Sequence, residues 1–224
     1  MENHPNNWFG VRMFVNKLKK QSRFNSEIMT QQNINKPLYL ASASPRRKDL
    51  LEQAQLRFEV VNAPVEEVAL PHESPESYVR RIAIEKALSG FNKVAGKEIW
   101  VIGGDTTVLI EGKVLGKPKN QVDSYRMLKR LSGKTHRVLS AIAIVFDGEV
   151  FSAVNVTDVN FKSLSDEEIK QYILSGEPEG KAGSYAIQGL GANFITSIHG
   201  SYSAVMGLPL YELNELLVQS GYKN

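Results

Sequence analysis

From Leu38 onward, apolar and polar positions fall into blocks with regular punctuation between them. Residues 38–42 form a short apolar run of strand character. Ser44-Pro45 then predicts a helix start, with Ser as N-cap and Pro in the first helical position. Leu50, Leu51 and Ala54 give that helix an apolar side. Residues 58–62 read as a second strand, and Ser74-Pro75 repeats the helix-start device for a helix running to about Ser89. The apolar run 99–110 predicts a strand interrupted by Gly103-Gly104-Asp105, and Glu111-Gly112 makes a turn. Residues 122–131 predict a helix closed by Gly133. Two strands follow, 136–146 and 150–161, joined at Asp147-Gly148, a strong hairpin signal. Ser165 and Glu168 have capping-box spacing and open a helix over 166–174, which Gly176 ends. A glycine-rich stretch, 180–191, leads to a strand near 194–198. Pro209 starts a last helix with Leu213, Leu216 and Leu217 on its apolar side. This mixture predicts an α/β fold (α+β, around a mixed sheet).

Composition narrows the chemistry. The 224 residues are 42% hydrophobic and 23% charged, ordinary values for a globular chain, and include no cysteine. Disulfides, thiolate metal sites and cysteine nucleophiles are thereby excluded. No apolar run approaches the roughly 20 residues that span a bilayer, so no membrane partner is expected. The net charge of +3 is uneven. Residues 1–36 hold six Lys and Arg against two acids, a net +4, which leaves −1 for the rest. Residues 1–36 are rich in Asn and Gln without a clear period and are expected to be a disordered tail; a targeting role and a start site at Met29 stay open as alternatives. Residues 37–224 form the folded domain, and its near-neutral body argues against a nucleic-acid partner.

Several residues are oddly placed for a purely structural role. Behind the Ser44 N-cap, Arg46 and Arg47 put two cations in a helical first turn, opposing the helix dipole at about 0.3–1 kcal/mol each. An anion bound there would remove the conflict, since N–H groups, dipole and guanidinium forks would converge on it. Solvation, or pairing with Asp49 or Glu52, is the bland alternative. Val79, Ile82, Ala83 and Lys86 share one helix face, so Lys86 ends an apolar stripe. It either snorkels or points into a phosphate cleft. Gly103-Gly104 mark a bulge or a close backbone approach. Asp105 emerges after them beside Thr106, where a carboxylate could hold Mg²⁺, orient water or act as a base; a turn Asp is the alternative. Lys117 sits in the kinked turn Gly116-Lys117-Pro118. Glu67, after the second strand, is a second acid for a metal or part of a solvated loop. His136 is read as structural. Together these cations and acids are the equipment for a triphosphate carrying a divalent ion.

The strings LYLASASPRRKDLL, RIAIEKA, VIGGDTTV, GKP, LSGKTHRV, EPEGKAGSYAIQGLGANFI and GSYSAVMGLPL, in this order, closely resemble the Maf family of nucleotide pyrophosphatases over about residues 37–220. The resemblance implies an elongated, two-lobed fold related to inosine triphosphate pyrophosphatases, with the nucleotide cleft between the lobes. It also implies a divalent metal cation (Mg²⁺ or Mn²⁺) and a homodimer, while the cysteine-free composition fits a cytoplasmic location. By the same resemblance Asp105 matches the proton acceptor and Arg46 and Arg47 the phosphate-binding pair. Lys86 and Lys117 match the cleft lysines, and Glu67 the loop acid that helps hold metal with Asp105. Arg46 directly after Pro45, Thr106 after Asp105, and Gln188 in SYAIQG resemble the branch acting on dTTP and UTP, giving the monophosphate and pyrophosphate. Gly104 stands where Ala is usual. An amide at Gln188 can both give and accept, as a thymine or uracil edge requires. The glycines around it would let the backbone approach the base. Two alternatives stay open: a 7-methyl-GTP pyrophosphatase, and a non-catalytic regulator of septum formation.

Overall fold

The computed structural model describes residues 37–94 and 96–223, so the expected tail, residues 1–36, lies outside the described residues. The elements run β1 (Leu38–Leu40), α1 (Pro45–Gln53), β2 (Glu59–Val60), α2 (Pro75–Phe91), β3 (Trp100–Ile110), β4 (Lys113–Leu115) and α3 (Gln121–Leu131). They continue with β5 (Thr135–Phe146), β6 (Glu149–Phe161), α4 (Asp166–Leu174), β7 (Ile195–His199), α5 (Tyr202–Met206) and α6 (Leu210–Gln219). Short 3₁₀ turns at Ala182–Ser184 and Leu190–Phe194 lie between α4 and β7. The strands form one mixed sheet in the order β2-β1-β3-β5-β6-β7, with β4 also on β3. β1 is parallel to its neighbours, and the other pairings are antiparallel.

Local capping explains the helix starts. Ser74 accepts a hydrogen bond from the Ser77 amide at 3.1 Å, and the Ser165–Glu168 capping box is complete. Asn120 caps α3 by accepting from the Asp123 amide. One expectation is corrected. β3 is not interrupted at its glycines: it pairs with β5 without a break from Trp100 to Leu109, and Asp105 lies in mid-strand. Gly103 is needed for close approach instead. A Cβ there would sit 2.3 Å from the Ala83 carbonyl oxygen and 2.5 Å from the Ala87 nitrogen of α2.

Strand alternation divides β3 between two faces. On one face Trp100 and Ile102 join a core with Leu50 and Leu51 of α1 and Leu213, Leu216 and Leu217 of α6. On the same face Val108 and Ile110 join a second core with Leu128 and Leu131 of α3 and Ile169 of α4. Between the two cores this face carries only Gly104 and Thr106, small residues that leave room. On the opposite face Leu109 packs with Val79, Ala83 and Ala87 of α2. The edge of β3 is also open at this level. β1 ends with Leu40 opposite Ile102, and β4 reaches back only to Leu115 opposite Val108. Residues 103–107 therefore lack a neighbouring strand on that side among the described residues.

His136 is buried among Phe161 and Tyr185 in edge-to-face contacts, and its Nε2 is 2.8 Å from the Tyr185 hydroxyl. Burial lowers its pKa from 6.5 to about 4. A neutral imidazole in the fold means that the unfolded chain binds the extra proton first. The stability it supports is complete above about pH 6.5 and is lost as pH falls toward 4, about 3 kcal/mol in all. Thermal melts between pH 7 and 4 should therefore fall less steeply for His136→Gln than for the wild type. Parallel slopes would contradict this.

Candidate active site

The gap beside β3 opens into a pocket of about 700 Å³ lined by the first turn of α1, the loop after β2, mid-β3, the turn after β4 and residues 180–188. All eight residues singled out in the sequence line it: Arg46, Arg47, Glu67, Lys86, Asp105, Thr106, Lys117 and Gln188. It lies between the two cores on one face of the sheet and reaches α2 on the other.

The acids and lysines form one network. Lys86 interrupts the buried stripe of α2, which runs through Val79, Ile82 and Ala83 and continues at Ala87 and Gly90. Its Nζ donates to Asp105 Oδ1 at 2.8 Å and lies 2.7 Å from Glu67 Oε1. Lys117 reaches Glu67 Oε2 at 3.2 Å. Burial raises the Glu67 pKa, but the hydrogen bond and charge of Lys86, then Lys117, outweigh it and leave the carboxyl below its usual range. The Glu67 loop is itself held. Arg81 donates to both Glu73 oxygens and to the Val68 carbonyl, and Tyr78 donates to the Glu67 carbonyl.

The two arginines have different situations. Arg47 is buried and donates to the Gly207 carbonyl at 2.7 Å, Ser42 Oγ at 3.1 Å and Thr106 Oγ1 at 3.3 Å. Three of its five N–H groups are thus committed to protein. Burial lowers its pKa, with Asp105 opposing. Arg46 donates only through Nε, to the Met206 carbonyl at 3.2 Å, so its terminal nitrogens have no protein partner among the described residues. Neither arginine pairs with Asp49 or Glu52. Ser44 does not cap α1 through its side chain, so the first-turn amides and the Ser44 hydroxyl are left to the pocket. Gly104 bears on Arg47: a Cβ there would come 3.1 Å from Arg47 Nε. An alanine there would need the guanidinium to give by only a few tenths of an ångström.

Arg47→Lys keeps the charge, but three donors on one nitrogen cannot span acceptors set for Nε and both terminal nitrogens, so it should cost about 1–3 kcal/mol of stability along with activity. Arg46→Lys should leave stability within about 0.5 kcal/mol and act on KM. Paired thermal melts and steady-state kinetics check this; equal melting losses in the two variants would contradict it.

Gln188 lies exposed at the pocket, and its amide has no protein partner among the described residues. It does not cap its own loop. The glycines beside it also answer to close contacts within the protein. A Cβ at Gly189 would fall 2.2 Å from Glu177 Oε2, and one at Gly191 would fall 2.8 Å from the Tyr172 hydroxyl. Sequence reasoning missed Lys181, which lines the same pocket. Burial lowers its pKa first, and the nearby Arg46 charge lowers it further. Its place between Gly180 and Gly183 was the available signal.

Two carboxylates flanking one ammonium fit a divalent ion that arrives with a nucleotide. Mg²⁺ characteristically uses one or two carboxylates together with substrate phosphates and water. Among the described residues no cluster of three or more acids or histidines would hold an ion without substrate. No helix among them is long and apolar enough to cross a membrane.

A family model described as Maf-like protein matches residues 37–220. A dTTP/UTP pyrophosphatase of Hydrogenovibrio crunogenus is 61% identical over 185 residues, covering 83% of this chain and 96% of that protein. The dTTP/UTP pyrophosphatases of Pectobacterium atrosepticum and Escherichia coli K12 are 49% and 48% identical. Each alignment covers 80% of this chain, with 90% and 91% of the relatives. Among solved structures, the Ham1 protein of Staphylococcus aureus covers 56% of this chain and 72% of that one, with TM-score 0.42 and 15% identity, a low degree of likeness.

Proposed function

The chain belongs to the Maf family, and on that premise we propose that it hydrolyses dTTP and UTP to the monophosphate and pyrophosphate, clearing the nucleotide pool. The observation that carries this reading is Lys86 bridging Asp105 and Glu67 opposite the open first turn of α1. That places acids for water and metal against cations for a polyphosphate.

In the proposed mechanism Arg46, Lys117 and Lys181 bind the phosphates, with the free amides of α1. Arg47 adds charge while bracing α1 against β3. Asp105 orients a water and takes its proton as the oxygen attacks the α-phosphorus, and the bond to the β-phosphate breaks to release pyrophosphate. Asp105 and Glu67 would hold a divalent cation, Mg²⁺ or Mn²⁺, which when bound neutralises phosphate charge. A cytoplasmic location fits a chain without cysteine. The homodimer belongs to the same proposal, and sedimentation tests it.

Three relatives bear the dTTP/UTP name, which favours that substrate class over 7-methyl-GTP and over a non-catalytic regulator. Pyrophosphate release from dTTP, UTP, CTP, GTP and 7-methyl-GTP at equal concentration tests the choice. Fastest release from dTTP and UTP is expected. Preference for 7-methyl-GTP, or no release at all, would overturn the reading.

Base choice falls to Gln188, with Thr106 and Arg46 near the same end of the substrate, where Arg46 turns from the base to the phosphate nearest it. Because Gln188 is exposed without ligand, its loss removes hydrogen bonds rather than leaving a buried group stranded. Gln188→Ala should lower the kcat/KM preference for dTTP over CTP by about 1 kcal/mol, about fivefold. An unchanged ratio would remove Gln188 from base reading.

A further inference from the structure

The segment that carries Gln188 is tied down by two residues that do not line the pocket. Glu177 follows the end of α4, and Tyr172 is buried in its last turns. The Tyr172 hydroxyl donates to Glu177 Oε1 at 2.8 Å. The Gly191 amide donates to the same oxygen at 3.0 Å, and the Leu190 amide to Oε2 at 2.8 Å. The Tyr172 oxygen in turn accepts from the Ala186 amide at 3.1 Å. One carboxylate and one phenol therefore hold backbone on both sides of Gln188, two residues before it and two to three after it. A Cβ at Gly191 would fall 2.7 Å from the Ala186 carbonyl oxygen and 2.8 Å from the Tyr172 hydroxyl, and one at Gly189 would push the Glu177 carboxylate aside. Burial raises the Glu177 pKa, but the Gly191 and Leu190 amides, Tyr172 and Lys181 more than offset it, so the carboxyl lies below its usual range. A carboxylate can accept all three bonds; a neutral amide offers one accepting oxygen and a donor facing donors.

We propose that Glu177, acting through Tyr172 and the amides of Leu190 and Gly191, is a positioning residue for base selectivity: it fixes the segment that presents Gln188 to the nucleobase. This rests on the pyrimidine triphosphate reading above. A base-reading amide on a loose segment samples many positions, and discrimination falls while the phosphate contacts persist.

The test uses the full chain, with Glu177→Gln as the isosteric variant and Tyr172→Phe as the gentler one that keeps the ring packing. Two quantities are read: kcat/KM for dTTP, UTP, CTP and GTP, and the inhibition constant of inorganic pyrophosphate, a base-free probe of the phosphate site. Both variants are expected to lose about threefold to fivefold of the wild-type dTTP-to-CTP ratio, no more than Gln188→Ala itself, with the pyrophosphate constant unchanged within about twofold. If Glu177→Gln does not fold, Tyr172→Phe and Gly189→Ala, whose Cβ would displace the carboxylate, carry the same expectation. A retained ratio in the folded variants, or a uniform loss on every nucleotide with weakened pyrophosphate binding, overturns the positioning role. The wild-type panel separates the two readings. No wild-type preference for dTTP and UTP sinks the function and this inference together, whereas a wild-type preference that the variants retain sinks this inference alone.

Discussion

Asp105→Asn should lower kcat on dTTP by at least about 10²-fold, the low end of what a positioned general base contributes. The substitution keeps shape and volume and removes the charge. Asp105 sits in the middle of β3, paired through to β5, and only 8% of it is exposed, so the variant inherits a fixed backbone. Lys86 keeps its second partner, Glu67, at 2.7 Å, so the local ion pairing survives and the fold should hold. The loss should therefore fall on turnover rather than on melting temperature. Stopped assays on the folded variant at saturating dTTP measure it. Near-normal kcat would take Asp105 out of the mechanism.

Lys86→Met should cost activity and stability together. Its ammonium stands between two carboxylates, and its side chain and that of Asp105 are only 12% and 11% exposed. Without it, a nearly buried acid loses its partner and faces another acid. Removing one member of a buried pair costs about 3–5 kcal/mol. Glu67 is more open, so the lower end of that range is expected. The loss should be greatest where both carboxylates are ionised and should ease in acid. Substrate binding loses a cation at the same stroke, and kcat/KM should fall at least about 10²-fold. Denaturant unfolding at pH 7 and 5 and steady-state kinetics check both parts. A variant as stable as the wild type at both pH values would mean the bridge is not the pairing described.

What could be read from the sequence was local. The Ser74-Pro75 start and the Ser165–Glu168 box are decided within four residues, and both helices begin where they predict. Hairpin and strand periodicity placed β5 and β6 within a residue at each end. β4 and α5 escaped notice because three and five residues are too few to show a period. The Gly103-Gly104 pair looked like a strand break because the cause at Gly103, the backbone of α2 lying across it, is distant in sequence. The contacts of Gly189 with the Glu177 carboxylate and of Gly191 with the Tyr172 hydroxyl were hidden for the same reason, since α4 and its following turn lie more than ten residues away. Arg46 and Arg47 look equivalent as letters. Only the carbonyl of Gly207 and the hydroxyls of Ser42 and Thr106 separate a braced guanidinium from a free one. The motifs brought every expected residue to one pocket, but Lys181 entered it through a loop whose course the sequence does not fix.

Cleavage falls between the α and β phosphates in the proposed mechanism, directed by cations that hold the polyphosphate while Asp105 orients the attacking water and takes its proton. Phosphorus NMR of the wild-type chain turning over dTTP with Mg²⁺ tests it most directly. dTMP and pyrophosphate are expected in equal amounts from the first points onward. Accumulation of dTDP with orthophosphate would contradict it.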